Sequence, residues 1–250
     1  MFRIDPNFSP HTFVLPDGGG EQSADRKAPP AASIYPNLAD YARVDAQCYI
    51  SREHKNLEWD RLWTKTWTCA GIASDIPAPG QFFRYDLGAE SFIISRGRDG
   101  EIHALFNACQ HRGRQLVDQD FGTRTQFVCP FHSWAYDLSG KNHRVTDREV
   151  FAESTLCGSL DLKAARCEIW AGFVFVSMNP DAPPLMEFLA DVPELMAAYK
   201  MDGMHVIKDT VLEVACNWKV GLEAFIESYH VHVTHPQALP MLDDVYEQYD

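Results

Sequence analysis

The chain has 250 residues, enough for one large domain or two small ones, and its 46% hydrophobic and 23% charged residues are ordinary for a globular protein. A formal net charge of −13 repels phosphate, which argues against nucleic acid as a partner and leans toward a basic redox partner. The longest apolar run, about Trp170 to Met178, falls far short of the roughly 20 residues a spanning helix needs. The N-terminus has no charged region followed by an apolar core, so no signal peptide and no membrane are expected, and the cytoplasm is the expected compartment.

Residues 1–44 are rich in Pro, Gly and Ala, with Gly18, Gly19, Gly20, Pro29 and Pro30, and read as an extended arm. Ser51 to Trp67 reads as a helix with Leu57, Leu62 and Trp63 on one face; Trp59, Trp63 and Trp67 have the spacing of core residues. Short β-rich runs follow at Trp67–Ile72, Gln81–Leu87, Ser91–Arg96, Ile102–Asn107, Gln126–Val128 and Ser133–Asp137. Pro79-Gly80, Asp99-Gly100 and Ser139-Gly140 punctuate them as turns, and the texture is that of a small antiparallel β domain. Cys167–Ser177 reads as one more buried strand, Leu185–Tyr199 as a helix, His205–Cys216 as a strand, and Asn217 to about His232 as a helix. His103, His143 and His205 show no partner spacing.

Seven cysteines are an odd number, and their spacing is not that of a disulfide framework. Two of them fall in mixed pairs, Cys109-x-His111 and Cys129-x-x-His132, on two loops of the β domain. Each pair offers one thiolate and one imidazole. Two such loops can clasp a [2Fe–2S] cluster that takes two thiolates on one iron and two imidazoles on the other. A Cys2His2 zinc site is the alternative, although zinc spacings usually pair Cys with Cys and His with His.

A second constellation follows. Glu227 lies three residues before His230 and would share a helical face with it; His235 is followed by Pro236, which favours leaving the helix there. Two imidazoles and one carboxylate make the facial triad of non-haem Fe(II) oxygenases. His232 falls about 200° around the helix from His230 and is not expected to be a ligand. Glu223 and Tyr229 are expected to pack rather than to react.

The stretches Asn107-Ala-Cys-Gln-His-Arg-Gly113 and Cys129-Pro-Phe-His-Ser-Trp-Ala-Tyr-Asp137 resemble the two cluster loops of Rieske non-haem iron oxygenase α subunits, the large subunits of aromatic-ring-hydroxylating dioxygenases. The resemblance covers about residues 45–235. It departs at Ser133, where the family usually has Gly and where a Cβ crowds the loop. Respiratory Rieske proteins carry two further cysteines where this chain has Arg114 and Phe131, which sets the chain with the oxygenase and ferredoxin group.

The resemblance implies an α+β protein: the arm at 1–44, a Rieske-type antiparallel β domain at 45–165, and the first part of a helix-grip catalytic domain at 166–250. It implies His230 and His235 as ligands of a mononuclear iron and Glu227 as the acidic bridge to the cluster of a neighbouring subunit. Glu at 227, where many members have Asp, resembles members acting on quaternary amines such as carnitine, although those often show Asn-Tyr where this chain has Ala224-Phe225. The family's carboxylate ligand comes from a helix roughly 100 or more residues further on, so it is expected to be missing from this chain, with Asp243 or Asp244 as local substitutes. The implied activity is a terminal oxygenase using O2 to hydroxylate an aromatic ring or to dealkylate a small-molecule substrate. NAD(P)H would supply electrons through a flavin reductase and in some systems a ferredoxin, within a homotrimer to which some members add a β subunit. A Rieske electron carrier, or an inactive subunit without the catalytic iron, is the alternative.

Overall fold

A computed structural model describes residues 44–204, 206–226, 230–235 and 237. The expected arm, and with it His205, Glu227, Tyr229, Asp243 and Asp244, lies outside the described residues, as does the side chain of His232. The chain divides into two compact units, one of Asn56–His205 and one of Met1–Lys55 with Val206–Asp250.

The larger unit is built on ten strands: β1 Thr68–Ile72, β2 Gln81–Leu87, β3 Glu90–Arg96, β4 Ile102–Phe106, β5 Phe121–Thr123, β6 Phe127–Val128, β7 Ala135–Tyr136, β8 Asn142–Arg144, β9 Ala164–Trp170 and β10 Phe173–Ser177. Seven form one antiparallel sheet in the order β1-β10-β9-β4-β3-β2-β5, and β6-β7-β8 form a second. The alternation along β2, β3 and β4 sends side chains to two cores. Phe82, Ile93 and Leu105 face one core, shared with Phe127, Trp134 and Tyr136. Phe83, Phe92, Ile94, Ile102 and Ala104 face another, shared with Val174 and Val176. With both faces covered, these strands read as nearly continuous apolar runs.

Gln81–Leu87 is β2 as expected, and the other β-rich runs shift by a residue or two. The sequence reading missed β5 and β8, which carry few large apolar residues. It also merged β9 and β10, which meet at a hairpin where Ala171 (φ 51°) and Gly172 (φ 83°) are left-handed. These two strands join β4 and β1, so the compact unit runs past the domain boundary expected at 165. That pairing is non-local and leaves no mark in the sequence.

The expected helix at 51–67 starts earlier and ends sooner: α1 is Gln47–Ile50 and α2 is Arg52–Glu58, followed by a π turn at Trp59–Trp63. Of its three tryptophans only Trp67 is buried, and Leu57 and Leu62 are exposed. Trp59 lies over Gly88, whose φ of 59° closes the β2–β3 turn; a Cβ there would lie 2.3 Å from the indole. The expected helix at 185–199 is two, α3 Leu185–Leu189 and α4 Val192–Met196, broken at Ala190 (φ 47°). Pro193 explains the break, because in a continuous helix its ring would clash with the carbonyl of Leu189.

In the smaller unit no strand forms over the described part of 205–216, because an extended segment becomes a strand only with a partner. The expected helix from Asn217 is short, α5 Trp218–Glu223, and α6 follows at Val231–Thr234. Asn217 caps α5 by accepting the Lys219 amide at 3.1 Å, and its amide group donates to the Tyr49 carbonyl at 2.9 Å. Tyr49 in turn donates its hydroxyl to Glu223 at 2.7 Å.

Candidate metal centre

The loop after β4 carries Cys109 and His111, and the loop between β6 and β7 carries Cys129 and His132. Both are closed by the same pair of backbone hydrogen bonds. The Cys109 amide donates to the Arg114 carbonyl at 2.9 Å and the Gly113 amide to the Cys109 carbonyl at 2.8 Å. The Cys129 amide donates to the Trp134 carbonyl at 2.8 Å and the Ser133 amide to the Cys129 carbonyl at 2.9 Å. In each loop the fourth residue after the cysteine is left-handed, Gly113 at φ 70° and Ser133 at φ 59°. The departure noted at Ser133 is therefore a backbone matter: a side chain sits where glycine is favoured.

The four side chains meet as two like pairs. Cys109 and Cys129 are both 2% exposed and lie in the same buried core cluster. The Nδ1 atoms of His111 and His132 face each other at 3.1 Å. Two imidazole nitrogens about 2.0–2.1 Å from one metal at a tetrahedral angle lie about 3.3 Å apart, so this separation suits a shared ion. Among the described residues no three His, Cys, Asp or Glu side chains converge on a single ion. A thiolate pair beside an imidazole pair suits two metals with two protein ligands each, and not one zinc with four.

The surroundings treat the two kinds of ligand differently: an imidazole is held neutral, whereas a thiol is held protonated. Burial pushes the Cys109 thiol up, against the opposing hydrogen bond from Tyr136. Burial, then repulsion from His132 and Arg112, holds His111 below the usual imidazole value, so it stays neutral and ready to coordinate. The donor set therefore fits a [2Fe–2S] cluster.

Several supporting residues had no role in the sequence reading. Tyr136 places its hydroxyl 3.2 Å from the Cys109 sulfur and accepts the Gln110 amide at 3.1 Å. Burial, then the bond to Cys109, pushes this phenol up, so it remains a donor. Trp134 stacks on His111 at 4.9 Å and 12°, with Phe151 edge-on to both. Buried Asn107 accepts the amides of Leu116 and Val117 at 2.9 and 3.1 Å and donates to the Val117 carbonyl at 2.7 Å, fixing the base of the first loop. Arg112 lies 5.7 Å over the ring of Phe131 and links the two loop tips. Asn107, Trp134 and Tyr136 all stand inside the two quoted stretches, which was the available signal. His103 does have a partner, with Nε2 3.2 Å from Asp99 on the hairpin between β3 and β4.

In the smaller unit His230 and His235 flank α6 with ring centroids 5.4 Å apart. The pair can share one metal, while Glu227 and both candidate acids lie outside the described residues.

Residues 66–154 match the Rieske [2Fe-2S] domain and residues 201–249 the catalytic domain of the ring hydroxylating alpha subunit. The chain is 31% identical over 205 residues to the oxygenase subunit of glycine betaine monooxygenase from Pseudomonas aeruginosa, covering 79% of this chain and 46% of that one. It is 31% identical over 217 residues to the large oxygenase component of a 2,4-dinitrotoluene dioxygenase system from Burkholderia sp., covering 84% and 48%. Among solved structures it is similar to the quaternary ammonium Rieske monooxygenase CntA, with a TM-score of 0.70 and 25% identity over 77% of this chain and 54% of that one. A naphthalene 1,2-dioxygenase gives a TM-score of 0.67 and 32% identity over 75% and 43%. The chain thus spans somewhat under half the length of these curated relatives.

Proposed function

We propose that the chain is a large subunit of the Rieske oxygenase family and acts as the terminal oxygenase of a multicomponent system. The observation that carries this reading is the meeting of two thiols and two facing imidazoles on loops of matching backbone form. The ligands are Cys109, His111, Cys129 and His132 for the cluster, and His230 and His235 for a mononuclear ferrous ion. When bound, the two centres would supply one-electron transfer and dioxygen activation.

The chain's own residues do the rest. Tyr136 holds its proton toward the Cys109 sulfur and favours the reduced charge state there. Trp134 and Phe151 shield His111 from water. Glu227, by the family's pattern, accepts a hydrogen bond from a cluster histidine of one subunit and from His230 of the next, which makes a homotrimer the working unit. Glu227→Gln is expected to leave both metals loaded and to stop turnover; unchanged turnover removes the bridging role.

The electron donor is a flavin reductase, directly or through a ferredoxin, fed by NAD(P)H in the cytoplasm. The exposed guanidinium groups of Arg112, Arg114 and Arg144 beside the loops support a donor acidic around its own redox centre. Local sign outweighs the chain's net −13 at the point of contact. For the substrate we favour oxidative dealkylation of a small quaternary amine over ring hydroxylation, supported by Glu227 and by the glycine betaine and quaternary ammonium monooxygenases among the relatives. Formaldehyde release from a betaine distinguishes this from formation of a ring-hydroxylated product.

The second reading is an electron carrier without catalytic iron, supported by the four-residue donor set that the larger unit holds by itself. Iron and sulfide content of anaerobically purified chain, with EPR before and after dithionite, decides. Two irons with a reduced Rieske signal support the carrier. A third iron that gives a ferrous nitrosyl signal with NO supports the oxygenase. No sulfide and no signal sinks both.

A further inference from the structure

The two cluster loops share one backbone frame but not one residue at its left-handed corner. Gly113 takes φ 70° in the first loop, and Ser133 takes φ 59° in the second. For a residue with a Cβ that conformation needs outside support. The support is visible. Arg144 donates to the Ser133 carbonyl from both Nε, at 3.1 Å, and Nη2, at 2.9 Å. Thr146 donates its hydroxyl to the neighbouring His132 carbonyl at 2.7 Å. Among the described residues no side chain grips the Gly113 carbonyl in this way.

Arg144 reaches the loop because of a β-bulge. Ala135 pairs with Arg144 and Tyr136 with Asn142, so His143 is an extra residue on β8. Bulges of this kind turn a side chain away from its regular direction. Here the turned side chain is the one that forks onto the loop.

We propose that Arg144 is a positioning residue for the imidazole side of the cluster: its fork holds the left-handed turn at Ser133 and so sets His132, while its fixed charge lies beside that loop. The proposal rests on the cluster reading above. A guanidinium fork aims two donors at one carbonyl, which a lysine cannot do. Its charge also favours the reduced state.

The test is a double-mutant cycle in the full chain, read by air-driven loss of cluster absorbance, the reduced-state EPR line shape and the midpoint potential. Arg144→Gln is expected to lose its cluster about tenfold faster than the parent, with broadened EPR features and a lower potential. Ser133→Gly alone is expected to match the parent in cluster retention. Adding Ser133→Gly to Arg144→Gln is expected to restore retention to within about twofold, because glycine removes the need for the brace. Arg144→Lys keeps the charge without the fork. It is expected to hold the potential but broaden the EPR features, and it serves if the glutamine variant takes up no cluster. Unchanged retention and line shape in Arg144→Gln overturns the proposal, as do purely additive losses in the double variant or a lysine variant with the parent's line shape. A parent without any Rieske signal sinks the cluster reading instead, so the two failures stay distinguishable.

Discussion

Tyr136, which follows the second loop, reaches back to the first: its hydroxyl meets the Cys109 sulfur and the Gln110 amide while its ring fills the core beneath them. Tyr136→Phe keeps the ring and removes the hydroxyl. The reduced cluster carries more negative charge on sulfur, so loss of this donor lowers the potential. A differential of about 1.4 kcal/mol corresponds to about 60 mV for one electron, and a drop of a few tens of mV in a redox titration is expected. Ser133→Gly should raise stability by about 1 kcal/mol by relieving the left-handed residue, which differential scanning would read as about 2–4 °C for a unit of this size. The four side chains that meet at the two loops stand out in the sequence because two mixed Cys/His pairs at short spacing suit a metal. The brace on Ser133 does not, because Arg144 and Thr146 act through carbonyls, and any donor at that place would look the same in sequence.

At the scale of elements, β-rich runs bounded by turn residues made β2, β3 and β4 readable. Three-residue strands such as β5, with one large apolar residue, and β8, with none, gave no periodic signal. Pro193 was the one clear breaker inside the expected helix at 185–199, and reading its missing N–H would have split α3 from α4. In the smaller unit α5 is only six residues long, too short to persist without help. Its help comes from Asn217, which caps its first turn and binds the Tyr49 carbonyl, and from the Tyr49 to Glu223 bond at its end. Asn217→Ala is expected to cost about 1 kcal/mol. Because α5 leads toward His230, weaker uptake of ferrous ion by the histidine pair should follow, measured by titration against a chelator, with the Rieske EPR signal unchanged.

At the scale of the whole molecule, the cysteines that would hold the cluster belong to the same core as Phe82, Ile93 and Leu105. Metal and fold should therefore be coupled. Removing the cluster with a chelator and reductant, or by Cys129→Ser, is expected to lower the melting midpoint by several degrees, at roughly 2–4 °C per kcal/mol lost. A midpoint unmoved by cluster loss would mean that the core stands without it. The exposed arginines give another expectation. Reduction by an acidic donor protein should slow about tenfold when salt is raised from low to several hundred millimolar, since the contact is screened within about a Debye length. Arg112→Glu should slow it further at low salt, and stopped-flow measurement of cluster bleaching reads both. The onset of β texture near residue 67 was plain in the sequence, but the return of β9 and β10 to the first sheet depends on pairing between distant segments.

The matching frames of the two loops have a practical side. Each closes on itself through the same two backbone bonds, yet the imidazole stands two residues after the cysteine in the first loop and three after it in the second. As pieces of backbone the loops are interchangeable; as sources of ligands they are not. Six residues from Cys129 to Trp134 grafted in place of Cys109 to Arg114, with Ser133→Gly because among the described residues no side chain braces that corner in the first loop, would fold to the same outline and present a thiol in the right place. The imidazole would then stand one step out of register. Such a transplant would separate the part of this site that is portable architecture from the part that is addressed to its metal.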